Sequence, residues 1–367
     1  MKRLNQFALT GLAAGVAMIG MVSSAQAQDQ WTMTTTWPDN LDLIQIDRHW
    51  AELVNKLAGD DVKINFRAGG TLMPGTEVFD ATETGSIEAA GDWPGYWAGR
   101  SSAFSPLATT TSLFNGVDYL NWINEWGGFE LYQKVYGKYN MVYLPYGITN
   151  NESGFRGNTP IESIADLEGL RLRLSGRDQG RVLEELGGTQ VTLAGGEIYQ
   201  GIERGVVDGA EFSTPGVDYK AGFSEVADYW SVPGWHQSAS VFGVMINQDA
   251  WDALSQETQE KLKIAAQATM SWSIAWSERQ STQGTVKFIE DGTEINQLSD
   301  EDLEKIQSVT NEMIVKGSCE NPMQAEVYHS MISYLQNYSN WRDLSVPYNM
   351  SRVTDDLPSL EKIEDCM

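Results

Sequence analysis

The chain has 367 residues, with 25 Lys and Arg set against 50 Asp and Glu, for a formal charge of -25. A field of that sign repels nucleic acid and anionic membrane surfaces over a Debye length, which excludes both as partners. Any anion the protein holds must be met by individual positive groups; adaptation of the surface to a salty medium is the bland reading of the same charge. An apolar content of 41% with 10% aromatic residues excludes disorder.

Lys2 and Arg3, an apolar run over residues 7–22 and Ala25-Gln26-Ala27 have the layout of a secretory signal. Residues 1–27 are therefore expected to be removed and the remainder exported to the periplasm, with an uncleaved N-terminal anchor as the alternative. Nothing later is apolar enough to span a bilayer. The residues beyond the leader are more than one hydrophobic core usually serves, which predicts two lobes.

Alternation predicts a strand over 31–36, an amphipathic helix over 41–57 and a strand over 62–66. Gly69-Gly70 and Pro74-Gly75 punctuate a loop, a helix is expected over 76–84, and an apolar segment over 87–90 leads to Trp93-Pro94-Gly95-Tyr96-Trp97. Strands alternating with helices predict a parallel α/β sheet. A strand over 141–144 runs into a polar crossover ending at Glu152, and a second series begins near Gly154 and Phe155. Residues 169–222 read as strand, helix, strand, helix, strand. Apolar chain returns over 240–246, and a helical pattern over 256–288 is long enough to lie across both lobes. Ser299 and Asp302 form a capping box for the next helix, and a last helix is expected over 321–338, followed by Trp341. The expected organisation is lobe I over 28–150 with a return near 240–255, lobe II over 151–239 with parts of 256–320, and a C-terminal helical tail over 321–367. The lobes interleave by chain crossings.

Arg171 and Arg173 share one face of their strand because side chains alternate, while Leu170, Leu172 and Leu174 point into the core. An arginine at a strand end suits a carboxylate ligand, since its planar fork gives two parallel charge-assisted hydrogen bonds; two solvated arginines fit the same periodicity. Cys319 and Cys366, an even count in an exported chain, favour one bridge over two separate thiols. His49, His236 and His329 are far apart in sequence, which gives a zinc or nucleophile-histidine site little support. Glu197 with Glu211 has the residue types of a glycosidase pair, but no acid-base geometry can be read from the spacing, so a hydrolase is a weak reading. A sugar receptor is the stronger rival, because abundant tryptophan could stack on sugar rings.

Gly169, Leu170, Arg173, Glu197, Tyr199, Gly205, Val207, Asp208, Gly209 and Glu211 stand at the positions of a motif that resembles the periplasmic solute receptors of TRAP (tripartite ATP-independent periplasmic) transporters. The resemblance implies a two-lobe periplasmic binding protein fold with a hinge, no enzymatic activity, and delivery of a small organic acid to membrane permease subunits. It implies that Arg173 clamps the ligand carboxylate. Asp208, Glu211, Phe212, Pro215, Asp218, Gly222 and Phe223, with Tyr229-Trp230 and Pro233-Gly234-Trp235, are similar to the branch that binds 2-oxo acids or lactate with a cation. In that branch Glu211 and the Phe212 carbonyl would hold the cation, and Glu152 would stand where a glutamine completes the cage. A second carboxylate there favours Ca²⁺ over Na⁺. Tyr96 and Trp97 match an aromatic pair lining the pocket, with core packing as the alternative, and Trp235 is a further pocket candidate beside Phe155. The C-terminal tail resembles a dimerisation element, which makes a homodimer a candidate.

Overall fold

The computed structural model describes residues 28–345. The expected leader and Cys366 lie outside them, so the proposed bridge has only its Cys319 end, exposed near the end of a helix, within the described chain.

Among the described residues eleven strands are set in two sheets. In chain order they are β1 (Asp29–Thr35), β2 (Val62–Phe66), β3 (Ala89–Asp92), β4 (Met141–Thr149), β5 (Phe155–Gly157), β6 (Arg171–Arg173), β7 (Thr189–Val191), β8 (Gly209–Ala210), β9 (Tyr229–Val232), β10 (Ser240–Asn247) and β11 (Glu294–Gln297). The first sheet has the order β2-β1-β3-β10-β4 and the second β11-β9-β5-β8-β6-β7. The first is covered by helix Ile44–Leu57, where Ile46, Trp50 and Val54 recur every four residues and are fully buried. In the second, Leu172 and Leu174 pack with Val182 and Leu183 of helix Arg177–Glu185.

The sheets are not purely parallel as the alternation predicted. β10 runs antiparallel to β3 and β4, and β5 runs antiparallel to β8 and β9. These two are the first strands after each crossing, from β4 into β5 and from β9 into β10. A chain that leaves one sheet at the C-terminal ends of its strands and enters the other at the same cleft must run away from that cleft. Both reversals follow from crossing between sheets whose carboxyl ends face each other.

The crossings touch where they pass. Glu152 N–H donates to the Gln237 carbonyl at 3.0 Å. Gly234 lies so close to the Glu152 carbonyl that no Cβ fits, and Gly154, at φ +100°, lies equally close to the Ser231 carbonyl. A third connection is helix Gln256–Glu290, of 35 residues. Its Ser273 hydroxyl bonds the backbone of Ile148 in the first sheet, at 2.8 Å from the N–H and 3.1 Å from the carbonyl. Further along, its Phe288 ring packs on Arg156 and Trp230 of the second. The capping box at Ser299 and Asp302 is present. The last helix, Pro322–Ser345, is longer than expected and includes Trp341; its Val327, Tyr328, Met331 and Tyr334 are buried against Phe114, Trp122 and Tyr132.

Candidate ligand and metal site

The site lies where the strand ends meet the crossings. Arg173 is the last residue of β6 and pairs in register with Ala210 of β8, so Glu211, the next residue, emerges beside the guanidinium. Open α/β sheets place ligands at such carboxyl ends. Arg173 is 1% exposed, whereas the Arg171 side chain on the same strand face is 48% exposed and pairs with Asp208 at 2.8 Å. Of the two arginines, only the one at the strand end is enclosed.

Arg173 Nε donates to the Leu193 carbonyl at 3.1 Å, and Nη1 donates to the Glu211 carbonyl at 2.8 Å and to Glu211 Oε1 at 2.9 Å. Nη2 takes part in none of these bonds. Glu211 Oε1 also accepts from Ser175 N–H at 2.5 Å and the Ser175 hydroxyl at 2.8 Å, while Oε2 accepts from Gln237 Nε2 at 3.1 Å. Burial pushes the Glu211 carboxyl up, but Arg173 and the Ser175 donors outweigh it and hold the group below its usual range.

Glu152 comes from the β4–β5 crossing. Its Oε1 accepts from the Ser240 hydroxyl at 3.2 Å, and its Oε2 is buried without a hydrogen-bond partner. Burial, reinforced by the charge on Glu211, raises its pKa well above the carboxylate range. His236, from the β9–β10 crossing, is fully buried and neither ring nitrogen has a partner. Its Nε2 lies 3.6 Å from Glu152 Oε2 and 4.0 Å from Glu211 Oε2. Burial lowers the imidazole to about 4, with Glu211 opposing and Arg173 assisting. One donor atom from each of Glu152, Glu211 and His236 falls within 4.8 Å of the others. Two carboxylates, a neutral imidazole and orphaned polar atoms among them make a donor set that fits a cation.

A cavity of about 10 Å³, about what one water occupies by this measure, opens beside this cluster, lined by Leu43, Trp93, Tyr96, Glu152, Arg173, Ser175, Phe212, Gln237 and Phe242. Tyr96 is half-buried at its edge, and the Phe212 ring stands 5.7 Å from the Arg173 guanidinium.

The structure thus brings together Arg173, Glu211, Glu152, Phe212 and Tyr96. It does not bring in Trp97, whose indole N–H donates to Asp92 at 2.5 Å and whose ring packs on Phe79 in the core. Trp235 is behind the site, with Phe155 and His236 as ring neighbours at 6.1 and 5.7 Å. Ser175, Gln237, Trp93 and His236 were missed from the sequence. The separation of the three histidines argued against a metal site, yet one histidine suffices where two carboxylates reach it from other segments. The available signal was His236-Gln237, a polar pair directly after the flagged Pro233-Gly234-Trp235.

Two sheets joined by crossings, with a charged cavity between strand ends, have the architecture of a two-lobe binding protein. The match to the family of bacterial extracellular solute-binding proteins, family 7, runs over residues 33–318, and the chain belongs to that family. A monocarboxylate 2-oxoacid-binding periplasmic protein of Nostoc sp. is 28% identical over 312 residues, 85% of each chain. A TRAP transporter solute-binding protein of Bordetella bronchiseptica RB50, solved as a mixed-occupancy dimer with copurified calcium and picolinate, superimposes with TM-score 0.82 at 26% identity, over 86% of this chain and 94% of that one. One from Colwellia psychrerythraea with bound calcium and pyruvate gives 0.82 at 25% identity, over 87% and 97%. No helix among the described residues is long and apolar enough to cross a membrane.

Proposed function

We propose that this receptor captures a small 2-oxo acid or lactate-like monocarboxylate in the periplasm, together with a cation, and delivers it to the membrane subunits of a TRAP transporter. The observation that carries the reading is the buried meeting of Arg173, Glu211 and Glu152 at the cavity wall. A lone anion entering a site with two acids would be repelled; a cation held by Glu152, Glu211 and the Phe212 carbonyl reverses that field and receives the acid's oxygens. Arg173, already oriented by Leu193 and Glu211, offers its remaining donors to the ligand carboxylate. Tyr96 and Phe212 shape the remaining wall, and cavity closure keeps water from competing.

In this reading residues 28–150, with a return near 240–255, form lobe I and residues 151–239 with parts of 256–320 form lobe II, and the two close about the crossings at Glu152 and His236. The tail helix, with Trp341 and Leu344 exposed at 64% and 77%, serves dimerisation. The sugar reading is disfavoured because Trp93 is the only tryptophan among the cavity-lining residues.

The test is a thermal-shift panel of 2-oxo, 2-hydroxy and dicarboxylic acids and sugars, with and without Ca²⁺, since a ligand that binds only the native state raises its apparent stability. Pyruvate or lactate is expected to stabilise with the ion; a response to sugars alone refutes the proposal.

A further inference from the structure

We infer that Asp178 is a positioning residue for ligand capture: with the start of the tail helix it forms a latch that engages only when the cleft is shut, and so sets the affinity for the acid. This rests on the two-lobe reading above and goes beyond it by naming an element that holds the closed state from outside the cavity.

The chain passes between the lobes once more after the long helix. Ile306 and Val309 of helix Asp300–Glu320 belong to the buried cluster of Leu172, Leu174, Val182 and Leu183 in lobe II. Val327, Tyr328 and Met331 of helix Pro322–Ser345 belong to that of Phe104, Leu107 and Phe114 in lobe I. Only Asn321 lies between the two helices, in extended conformation with φ -140° and ψ 110°. Its Nδ2 donates to the hydroxyls of Ser101 at 3.2 Å and Ser102 at 3.0 Å, and its Oδ1 accepts from Met323 N–H at 2.9 Å. One residue earlier, Glu320 is held to lobe II by Arg181 at 2.9 Å. A single extended residue between helices anchored to different lobes has the form of a hinge.

Across this hinge the lobes meet at Asp178. It stands in the first turn of helix Arg177–Glu185 in lobe II, where the helix dipole favours an acid, but its donors come from the other lobe. Oδ2 accepts from Gln324 Nε2 at 2.9 Å and from the Tyr328 hydroxyl at 3.1 Å. Oδ1 is buried without a hydrogen-bond partner, as is the Ser105 hydroxyl of lobe I. No ion pair neutralises Asp178 among the described residues, since Arg177 and Arg181 turn to Glu320. Burial pushes the carboxyl's pKa up, and Tyr328, Arg181, Arg177 and Ser105 pull against it. Gly317 gives Gln324 its place, because a Cβ there would come within 3.1 Å of Oε1.

These contacts are made with the cleft shut, the cavity beside Arg173 having room for about one water. Asp178 does not line that cavity but follows Ser175, which does, by three residues, so latch and site ride on one segment. Parting the lobes withdraws the carboxylate from both donors. A contact made only in the closed state raises the closed fraction, and apparent affinity follows that fraction. The ion pair between Asp42 of lobe I and Lys220 of lobe II also spans the cleft, but its side chains are 20% and 46% exposed and it contributes little by comparison.

The experiment compares wild type with Tyr328→Phe, Asp178→Ala and the double variant. Calorimetry with pyruvate in the presence of Ca²⁺ reads affinity. Pulsed electron spin resonance reads the lobe separation without ligand, between nitroxides on the exposed positions Lys138→Cys in lobe I and Glu203→Cys in lobe II, in a background carrying Cys319→Ser and Cys366→Ser. Each single variant is expected to lose about tenfold in affinity and to shift the distances toward the open form, and the double variant to lose no more than Asp178→Ala. Tyr328→Phe removes one oxygen and keeps the ring in its packing, so its result does not hang on folding. Lower stability with affinity within about twofold and unchanged distances would show that the tail helix only packs, and overturns the inference. Failure of pyruvate to bind wild type refutes the proposed ligand instead; the distances then decide the latch alone, and unchanged distances overturn it.

Discussion

Two arginines of the second sheet, Arg156 on β5 and Arg173 on β6, are each 1% exposed and each paired with a carboxylate, yet their surroundings differ. Arg156 Nε donates to Asp218 at 3.2 Å while its guanidinium is sandwiched between Trp230 at 4.0 Å and Phe288 at 3.7 Å. Asp218 is completed by the Ser153 hydroxyl at 2.7 Å and Ser213 N–H at 3.0 Å. Burial lowers Arg156 to about 10 and raises Asp218 to about 6, so this pair is a strut held against its own desolvation. Arg173 has a cavity where Arg156 has aromatic faces, and its partner Glu211 belongs to a cluster of acids. What separates a strut from a site is what lies on the far side of the guanidinium.

The comparison breaks most visibly at Arg156. Replacing it with Met leaves Asp218 buried without a counter-charge and is expected to cost about 3–5 kcal/mol of folding stability by urea denaturation, with acid affinity of the folded protein changed less than about threefold. A variant as stable as wild type would remove the strut.

A third set of buried acids, Asp47 and Asp92, has no ion-pair contact with an arginine among the described residues and lies outside the cation cluster. Asp47 accepts from the Thr35 hydroxyl at 2.6 Å and from the Tyr146 hydroxyl; Asp92 accepts from Trp97 and, at 3.1 Å, from the Tyr136 hydroxyl. Burial raises both to about 7 against those hydrogen bonds. A carboxyl raised in the fold contributes stability that is fully present below its unfolded pKa near 4 and is lost as pH rises through 7. Each group should therefore withdraw about 2–3 kcal/mol between pH 5 and pH 8, and Asp92→Asn should flatten the stability profile over that window by one such share. An unchanged slope in the variant would show that Asp92 is ionised throughout.

Arg173→Lys sharpens the comparison from the other side. It keeps the charge beside Glu211 but loses the fork, and affinity for pyruvate should fall roughly ten- to a hundredfold, about 1.5–3 kcal/mol, with a smaller loss of stability than at Arg156. Calorimetry giving an unchanged dissociation constant would take Arg173 out of the site.

Much of this was legible in the sequence because it is periodic. Leu172 and Leu174 are fully buried, the strand at 62–66 has the expected bounds, and the expected helix at 256–288 forms as Gln256–Glu290. The reversal of β5 and β10 was not legible, since alternation fixes a strand's face and not its direction. Periodicity alone left Arg173 open between a ligand clamp and a solvated arginine, and it was the resemblance to the family motif that paired it with Glu211; the structure sets them together because Arg173 ends β6 and Glu211 follows the adjacent parallel β8. His236 could not be placed, because only the three-dimensional meeting of two crossings brings it to Glu152. Trp97 was misjudged for a related reason: its chain neighbour Tyr96 faces the cavity, and one residue further the ring turns to Asp92.

The central claim is that the buried acids beside Arg173 serve a cation that in turn serves the ligand. Calorimetric titration of pyruvate into protein stripped by chelation, in sodium-free buffer, tests it directly. The account predicts that affinity falls by more than about tenfold and returns when a divalent ion is added back; full affinity in the stripped protein would contradict it and leave Glu152 and Glu211 as acids with no ion to hold.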